Sequence, residues 1–261
     1  MKFILCYYFA YLSYYLVMQW GMLTEVSIHF LDVGQGDASI IASKDSLVVI
    51  DGGPNYTIDY YIDNQVPFFN CSIDFMVISH PHYDHIAGLT RIVRRCKVRN
   101  VILYDTNYSS REWGALKALL IESRKIYTFK GSSVQLSSSE LLYTLWPPQG
   151  FVCVNVNDCS VVVSYQIGNY SLLYMGDVGA DVIRQLELTN KPILVKLPHH
   201  GARNTLTEDF LSSTSPFTGI LSFGIQNKFG HPHQETLNLL AKFGSQIVRT
   251  SEGSYLVKLV Y

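Results

Sequence analysis

Short β-branched runs, several ending at an aspartate or a histidine, constrain this chain more than any other feature. Residues 26–31 (VSIHFL), 38–42 (ASIIA) and 46–50 (SLVVI) are strand-like and are separated by VGQGD and KDS. Links this short favour antiparallel neighbours. Residues 74–79 (DFMVIS) are almost continuously apolar, as a strand buried on both faces would be. The period then changes. Residues 85–95 place Ile86, Leu89, Ile92 and Val93 on one helical face. VRNVIL reads as a strand, REWGALKALLIE as an amphipathic helix, and residues 126–146 as further short strands ending at Pro147-Pro148.

The second half repeats this order. SVVVSYQ and YSLLYM flank an IGN hairpin turn, while ADVIRQLE and QETLNLLAKF read as helices. PILVKL, TGILSF, QIVRT and SYLVKLVY read as strands. The expected fold class is α/β: an αββα sandwich over residues 25–261, with two mixed sheets covered on the outside by helices.

A chain of 261 residues, 48% hydrophobic and 16% charged, can bury a core of that size. The net charge of −1 provides no global basic field for a polyanion, so any nucleic-acid contact has to be local. Arg91, Arg94, Arg95, Lys97 and Arg99 form the densest positive run. A solvated helix face accounts for them more simply than phosphate binding does. Cys6, Cys71, Cys96, Cys153 and Cys159 are odd in number and contain no CxxC pair. They are expected to be isolated thiols, neither a disulfide framework nor a zinc knuckle, with Cys153–Cys159 as the one bridge an oxidising compartment would allow. Residues 3–23 carry no formal charge and follow Lys2, and a helix of ~20 residues spans a bilayer. Residues 1–24 are therefore expected to be a membrane anchor or a signal peptide, with the rest of the chain outside the cell membrane or secreted.

Polar residues collect where strands end. Asp51 closes SLVVI, His80 follows DFMVIS, Asp177 follows SLLYMG, His199 and His200 follow ILVKLP, and His231 lies beyond GILSFG. The segment HPHYDH spends three of the chain's eight histidines in six residues. His80 and His82 are one residue apart, so in an extended loop they project to the same side and can grip one metal. Asp84 and His85 open the next helix and turn toward a second position. Imidazoles with carboxylates suit two divalent ions, Zn²⁺ first and Mn²⁺ or Fe as alternatives, and Asp177 is placed to bridge them. Taken alone, the same segment could be a solvated turn with Asp84 as a helix cap.

FLDVGQGDA, VIDGG, SHPHYDH, MGD, PHHGA and GHP together resemble the metallo-β-lactamase superfamily, and most closely the hydrolase domain of bacterial competence proteins. The resemblance implies an αββα fold with a metal centre at one edge. It implies His80 and His82 on one metal, and Asp84 and His85 on the other. Asp177 would bridge, one of His199 and His200 would complete the second site, and Asp51 would support the ligand loop. The chain departs from the superfamily pattern between His85 and Asp177, where no histidine occurs and Asn157 takes the place of one. The multi-span channel that precedes this domain in competence proteins is not in this sequence.

Two divalent ions close together activate water toward phosphate or acyl esters. Asp84, His200 and His231 are the candidate catalytic residues, with His231 or the non-ligand member of the His199/His200 pair as the leaving-group acid. Asn157, Arg203 and Gly201 are candidates for substrate contact, the glycine because it permits close approach. The leading expectation is a metal-dependent phosphodiesterase or nuclease acting on single-stranded DNA beside a membrane channel protein. The rivals are a hydrolase of phosphocholine-like esters or thioesters, and a catalytically silent regulatory domain on a channel.

Overall fold

The strand-like runs assemble into two seven-stranded sheets in this computed structural model, which describes residues 25–65 and 71–261. The first sheet is built from β1 (Glu25–Phe30), β2 (Ala38–Ala42), β3 (Leu47–Gly52), β4 (Ser72–Val77), β5 (Lys97–Leu103) and β6 (Arg124–Tyr127). The second contains β7 (Ser133–Gln135), β8 (Glu140–Trp146), β9 (Val162–Ile167), β10 (Tyr170–Tyr174), β11 (Leu194–Lys196), β12 (Thr218–Leu221) and β13 (Gln246–Arg249). The last strand, β14 (Tyr255–Val260), returns to the first sheet and pairs antiparallel with β1, giving the order β14-β1-β2-β3-β4-β5-β6. The second sheet runs β13-β12-β11-β10-β9-β8-β7.

Alternation along the strands divides the apolar residues among three cores. Val26, Ile28 and Phe30 of β1 meet Val163, Tyr165 and Ile167 of β9 between the sheets. Val49 and Met76 point the other way, onto helices α1 (Thr57–Gln65), α2 (Tyr83–Ile86), α3 (Leu89–Arg95) and α4 (Arg111–Leu119). Leu173 and Val195 do the same beneath α5 (Ala180–Ile183), α6 (Glu208–Thr214) and α7 (Gln234–Lys242). Three apolar layers between four structural ones make the expected αββα order. Each buried Val, Leu or Ile in these layers contributes roughly 1.5–3 kcal/mol.

Strand direction places the chemistry. β3 through β6 are mutually parallel, so their C-terminal ends share one edge. β8 and β10 are both antiparallel to β9, and β10, β11 and β12 are parallel, so these four strands also end together. Asp51, His80, Asp177, His199, His200 and His231 lie at these ends.

Two expectations need correction. The four described cysteines are not isolated thiols: Cys71 is bonded to Cys96, and Cys153 to Cys159, the latter being the bridge the sequence allowed. Cys71 precedes β4 and Cys96 precedes β5, and these parallel neighbours start side by side, with Lys97 N donating to Cys71 O at 3.0 Å. Spacing along the chain does not show that adjacency. The ADVIRQLE helix is one turn only, and α1 and α6 were not expected. The predicted membrane segment lies outside the described residues, among which no helix is long and apolar enough to cross a membrane.

Candidate metal centre

Asp177 Oδ2 is the point on which the two sheets converge. It lies 3.4 Å from His85 Nε2, 3.7 Å from His200 Nε2, 3.8 Å from His80 Nε2 and 3.9 Å from His199 Nε2. One carboxylate oxygen thus faces four imidazoles from both sheets. Asp84 Oδ2 adds a second carboxylate, 3.4 Å from His200 Nε2, and His82 Nδ1 lies 3.1 Å from His80 Nε2. Ligand atoms of Asp84, His85, Asp177 and His200 all fall within 4.8 Å of one another.

The hydrogen bonds behind these rings fix which nitrogen faces inward. His85 Nδ1 donates to Asp51 Oδ2 at 2.9 Å, and Asp51 is held in turn by the amide and hydroxyl of Ser79 at 2.8 and 2.6 Å. His200 Nδ1 donates to Ser222 O at 2.9 Å and faces Asp37 Oδ1 at 3.2 Å. With both Nδ1 atoms engaged, the Nε2 atoms point into the cluster. His85 Nε2, His200 Nε2 and Asp177 Oδ1 are buried without a hydrogen-bond partner. Orphaned buried polar atoms normally cost stability, and a cation that takes the place of the imidazole protons is the natural resolution. The donor set therefore fits divalent metal.

Backbone strain accompanies the donors. Asp51, His199 and His200 adopt φ of 55°, 48° and 56°, a region that non-glycine residues seldom occupy and that concentrates at functional sites. Gly36, in the VGQGD loop, lies so close to the ligand loop that a Cβ would meet Asp84 O at 2.3 Å. Only glycine lets that loop cross, and Asp37 N donates to Asp84 O at 3.2 Å just beyond it.

The charges respond to this crowding. Burial opposes the Asp177 carboxylate, but His85 and His200 outweigh it and hold its pKa well below the usual range. Burial likewise opposes the His200 imidazolium, and Asp177 and Asp37 raise its pKa to about 9. Against the same burial penalty, Asp177 and Asp51 raise His85 well above its ordinary value. Burial and then the charge of His85 lower His80 well below. Burial, together with His200, His199 and His233, lowers His231 to about 4.

Sequence reasoning missed the second support layer. Asp37 and Lys196 are both almost fully buried and pair at 2.7 Å between Oδ2 and Nζ. Asp37 is also close to Asp51 and His85, but the Lys196 ammonium already supplies the cation at that position. Gln35 was missed too. Its Oε1 accepts from Gly224 N at 3.2 Å, so its Nε2 donates to His231 Nδ1 at 3.3 Å, leaving the proton of His231 on Nε2. Only the D and Q of VGQGD could have pointed to these contacts, and neither has a spacing rule.

The remaining sequence candidates are placed as follows. His199 is partly exposed at the mouth, its ring 5.7 Å from that of His231. Asn157 is buried in the turn before β9 with Oδ1 unpartnered, but it is not in the donor cluster. Arg203 is exposed and lies 3.6 Å from Glu235. Gly201 does not offer open approach to substrate, because a Cβ there would meet Leu221 and Pro232 at 2.8 Å; it is a packing glycine. His231, with a pKa near 4, carries no extra proton at neutral pH and so does not suit the leaving-group acid role. In the basic run, Arg91 and Arg95 pair with Asp59, and Arg99 with Asp74, as a structural role requires.

Residues 31–224 match the sequence pattern of the metallo-β-lactamase superfamily. The chain belongs to that superfamily. Its donor set fits divalent metal. Within the superfamily it is similar to ComE operon protein 3 of Bacillus subtilis, at 24% identity over 251 residues, covering 88% of this chain and 32% of that protein. It is also similar to Recombination protein 2 of Haemophilus influenzae, at 24% identity over 226 residues, covering 85% of this chain and 27% of that protein. The chain thus spans about a third or less of the length of these curated relatives. Among solved structures, the metallo-β-lactamase fold protein YhfI of Bacillus subtilis superposes with a TM-score of 0.58 at 10% identity, over 90% of this chain and 100% of that one. A diphosphatase of the PhnP family does so with a TM-score of 0.55 at 13% identity, over 92% and 99%. At these identities the superpositions establish a common fold.

Proposed function

We propose that this superfamily member is a phosphodiesterase that cleaves DNA in a competence-type uptake context, with two divalent ions, Zn²⁺ first, in the cluster around Asp177. The carrying observation is that one carboxylate oxygen faces four imidazole nitrogens, two of them belonging to rings whose other nitrogen is tied off. His80 and His82 would hold one ion, Asp84, His85 and His200 the other, with Asp177 between. The ions supply Lewis-acid polarisation and a water of lowered pKa.

The chain's own residues then orient the ester. The His231 Nε2–H, fixed by Gln35, donates a hydrogen bond to a phosphoryl oxygen as charge builds there. His199, at the open mouth, stands where a leaving oxygen exits and can exchange a proton with it. The unpartnered Asn157 Oδ1 and the Arg203 guanidinium are the further contacts proposed for substrate.

Similarity to ComE operon protein 3 and Recombination protein 2 supports DNA as the substrate. Two disulfides support an oxidising location outside the cytoplasm; in this reading residues 3–23 are the membrane attachment and a channel protein is the partner. The test is elemental analysis of purified protein, followed by turnover of single-stranded DNA beside bis-p-nitrophenyl phosphate. Bound metal and cleavage of both substrates are expected. Hydrolysis of the small diester without DNA cleavage would rule out the nuclease in favour of another ester, and protein with neither metal nor turnover would leave a silent domain.

A further inference from the structure

The ends of β5, β6 and β8 enclose a cleft of about 440 Å³ on the same edge as the metal centre, lined by Tyr104, Thr106, Asn107, Tyr127, Gln149 and Phe151 among others. Its walls are firmly built. The Tyr104 hydroxyl donates to the carbonyls of Phe151 at 2.9 Å and Pro148 at 3.2 Å. The Phe151 ring packs at 4.9 Å on Trp146, and the Cys153–Cys159 disulfide forms part of the lining.

The two sheets act as a ruler for its position. In the first, β6 is two strands from β4, whose end carries His80; in the second, β8 is two strands from β10, whose end carries Asp177. Strands lie about 4.8 Å apart, so both sheets place the cleft about 10 Å from the ligands along the edge. That is within reach of a nucleoside whose phosphate sits at the centre. Both bordering loops also touch the centre. Tyr108 packs its ring 5.5 Å from that of His82, and Ser160 Oγ accepts from Asp177 N at 3.0 Å.

The lining chemistry selects a class of ligand. Its one charged residue is Asp105, so nothing in the lining attracts a phosphate. Tyrosine and phenylalanine rings provide faces for stacking, while Asn107, Gln149 and Thr106 provide neutral donors and acceptors, and Thr106 Oγ1 is buried without a partner. A flat, uncharged ring with a hydrogen-bonding edge satisfies both features. A quaternary ammonium would also suit aromatic walls, but it has no edge for the amides to meet.

We infer that this cleft is the subsite for the nucleobase next to the scissile phosphate. The inference rests on the phosphodiesterase reading for its polymer, and its test reads binding rather than turnover, so the two can fail separately. Saturation-transfer NMR on the metal-loaded protein, with thymidine and with choline as probes, is the experiment. Thymidine ring protons are expected to receive saturation, and choline methyls are not. Tyr127 is 58% exposed on an edge strand, so Tyr127→Ala should keep the fold, checked by unchanged metal content and melting temperature. It should weaken thymidine binding about 5- to 100-fold. Gln149→Ala, outside any helix or strand, should weaken it as well. Unchanged thymidine affinity in both variants, no thymidine binding to the wild type, or a preference for choline would each overturn the subsite. Thymidine binding without any phosphodiester turnover would instead overturn the phosphodiesterase reading alone.

Discussion

Asp37 Oδ1 lies 3.2 Å from His200 Nδ1, on the opposite side of the ring from the metal cluster, and the other oxygen of Asp37 is held 2.7 Å from Lys196 Nζ. The support for His200 thus runs through two fully buried charges. Burial disfavours the Asp37 carboxylate, and Lys196 and then His200 keep it ionised, with its pKa well below the usual range. Removing one charge would strand the other in a medium that cannot solvate it.

Lys196→Met should therefore lower unfolding free energy by about 3–5 kcal/mol, the usual cost of leaving a buried partner uncompensated. The double variant Asp37→Asn with Lys196→Met should recover a large part of that loss. Urea unfolding of the wild type, the Asp37→Asn and Lys196→Met single variants and the double variant checks the cycle; a double variant no better than Lys196→Met would show that the two charges do not act as a pair.

Asp84→Ala tests the ligand loop. The Asp84 side chain is partly exposed and outside the apolar cores, so the far-ultraviolet circular dichroism should stay unchanged. Turnover should fall by about 100-fold or more, because an interaction at the reacting centre is lost. Wild-type activity in this variant would refute the proposed centre.

Metal and proton compete for His85 and His200. Both pKa values are raised in the metal-free fold, that of His200 to about 9, so binding metal must displace protons. Apparent metal affinity should then fall by about tenfold or more per pH unit on acidification from about pH 8 to 6, read by competition with a chromophoric chelator. The metal-free protein should show the opposite trend in stability. A raised imidazole pKa stabilises the fold below the unfolded value near 6.5 and loses that contribution as pH rises through the folded value. Thermal melts of chelator-stripped protein should accordingly fall between about pH 7 and 9.5.

The Cys71–Cys96 bridge joins residues 25 apart, a loop for which chain entropy gives about 3.5 kcal/mol. A Cys71→Ser, Cys96→Ser double variant should be destabilised by about that amount, measured in urea. Equal stability would place the bridge's effect elsewhere than in the unfolded chain.

Much of this structure is legible in the sequence. His80, His82, Asp84 and His85 were readable because a period of two in a loop decides which side chains converge, and Asp177 and His200 because apolar runs stop just before them. The sandwich followed from short links early in each half and strand–helix alternation later. What escaped notice lacked a local signal. Helix α1 offers only Ile58 and Ile62 as buried apolar positions, and α6 is signalled only by the Thr207 cap, whose Oγ1 accepts from Phe210 N at 3.2 Å. Lys196 lies inside an apolar run and reads as a surface interruption until Asp37, from the other sheet, is brought against it. The Cys71–Cys96 pair became visible only once β4 and β5 were side by side.

The antiparallel pairing of β1 and β14 has a consequence for orientation. Glu25 faces Val260 in that register, at the far end of the strands from Phe30 and the metal loops. The chain therefore enters and leaves the sandwich at the pole opposite its chemistry. A tag fused after Tyr261 would therefore hold the molecule by its back, with the reactive rim turned outward like the open end of a tethered cup.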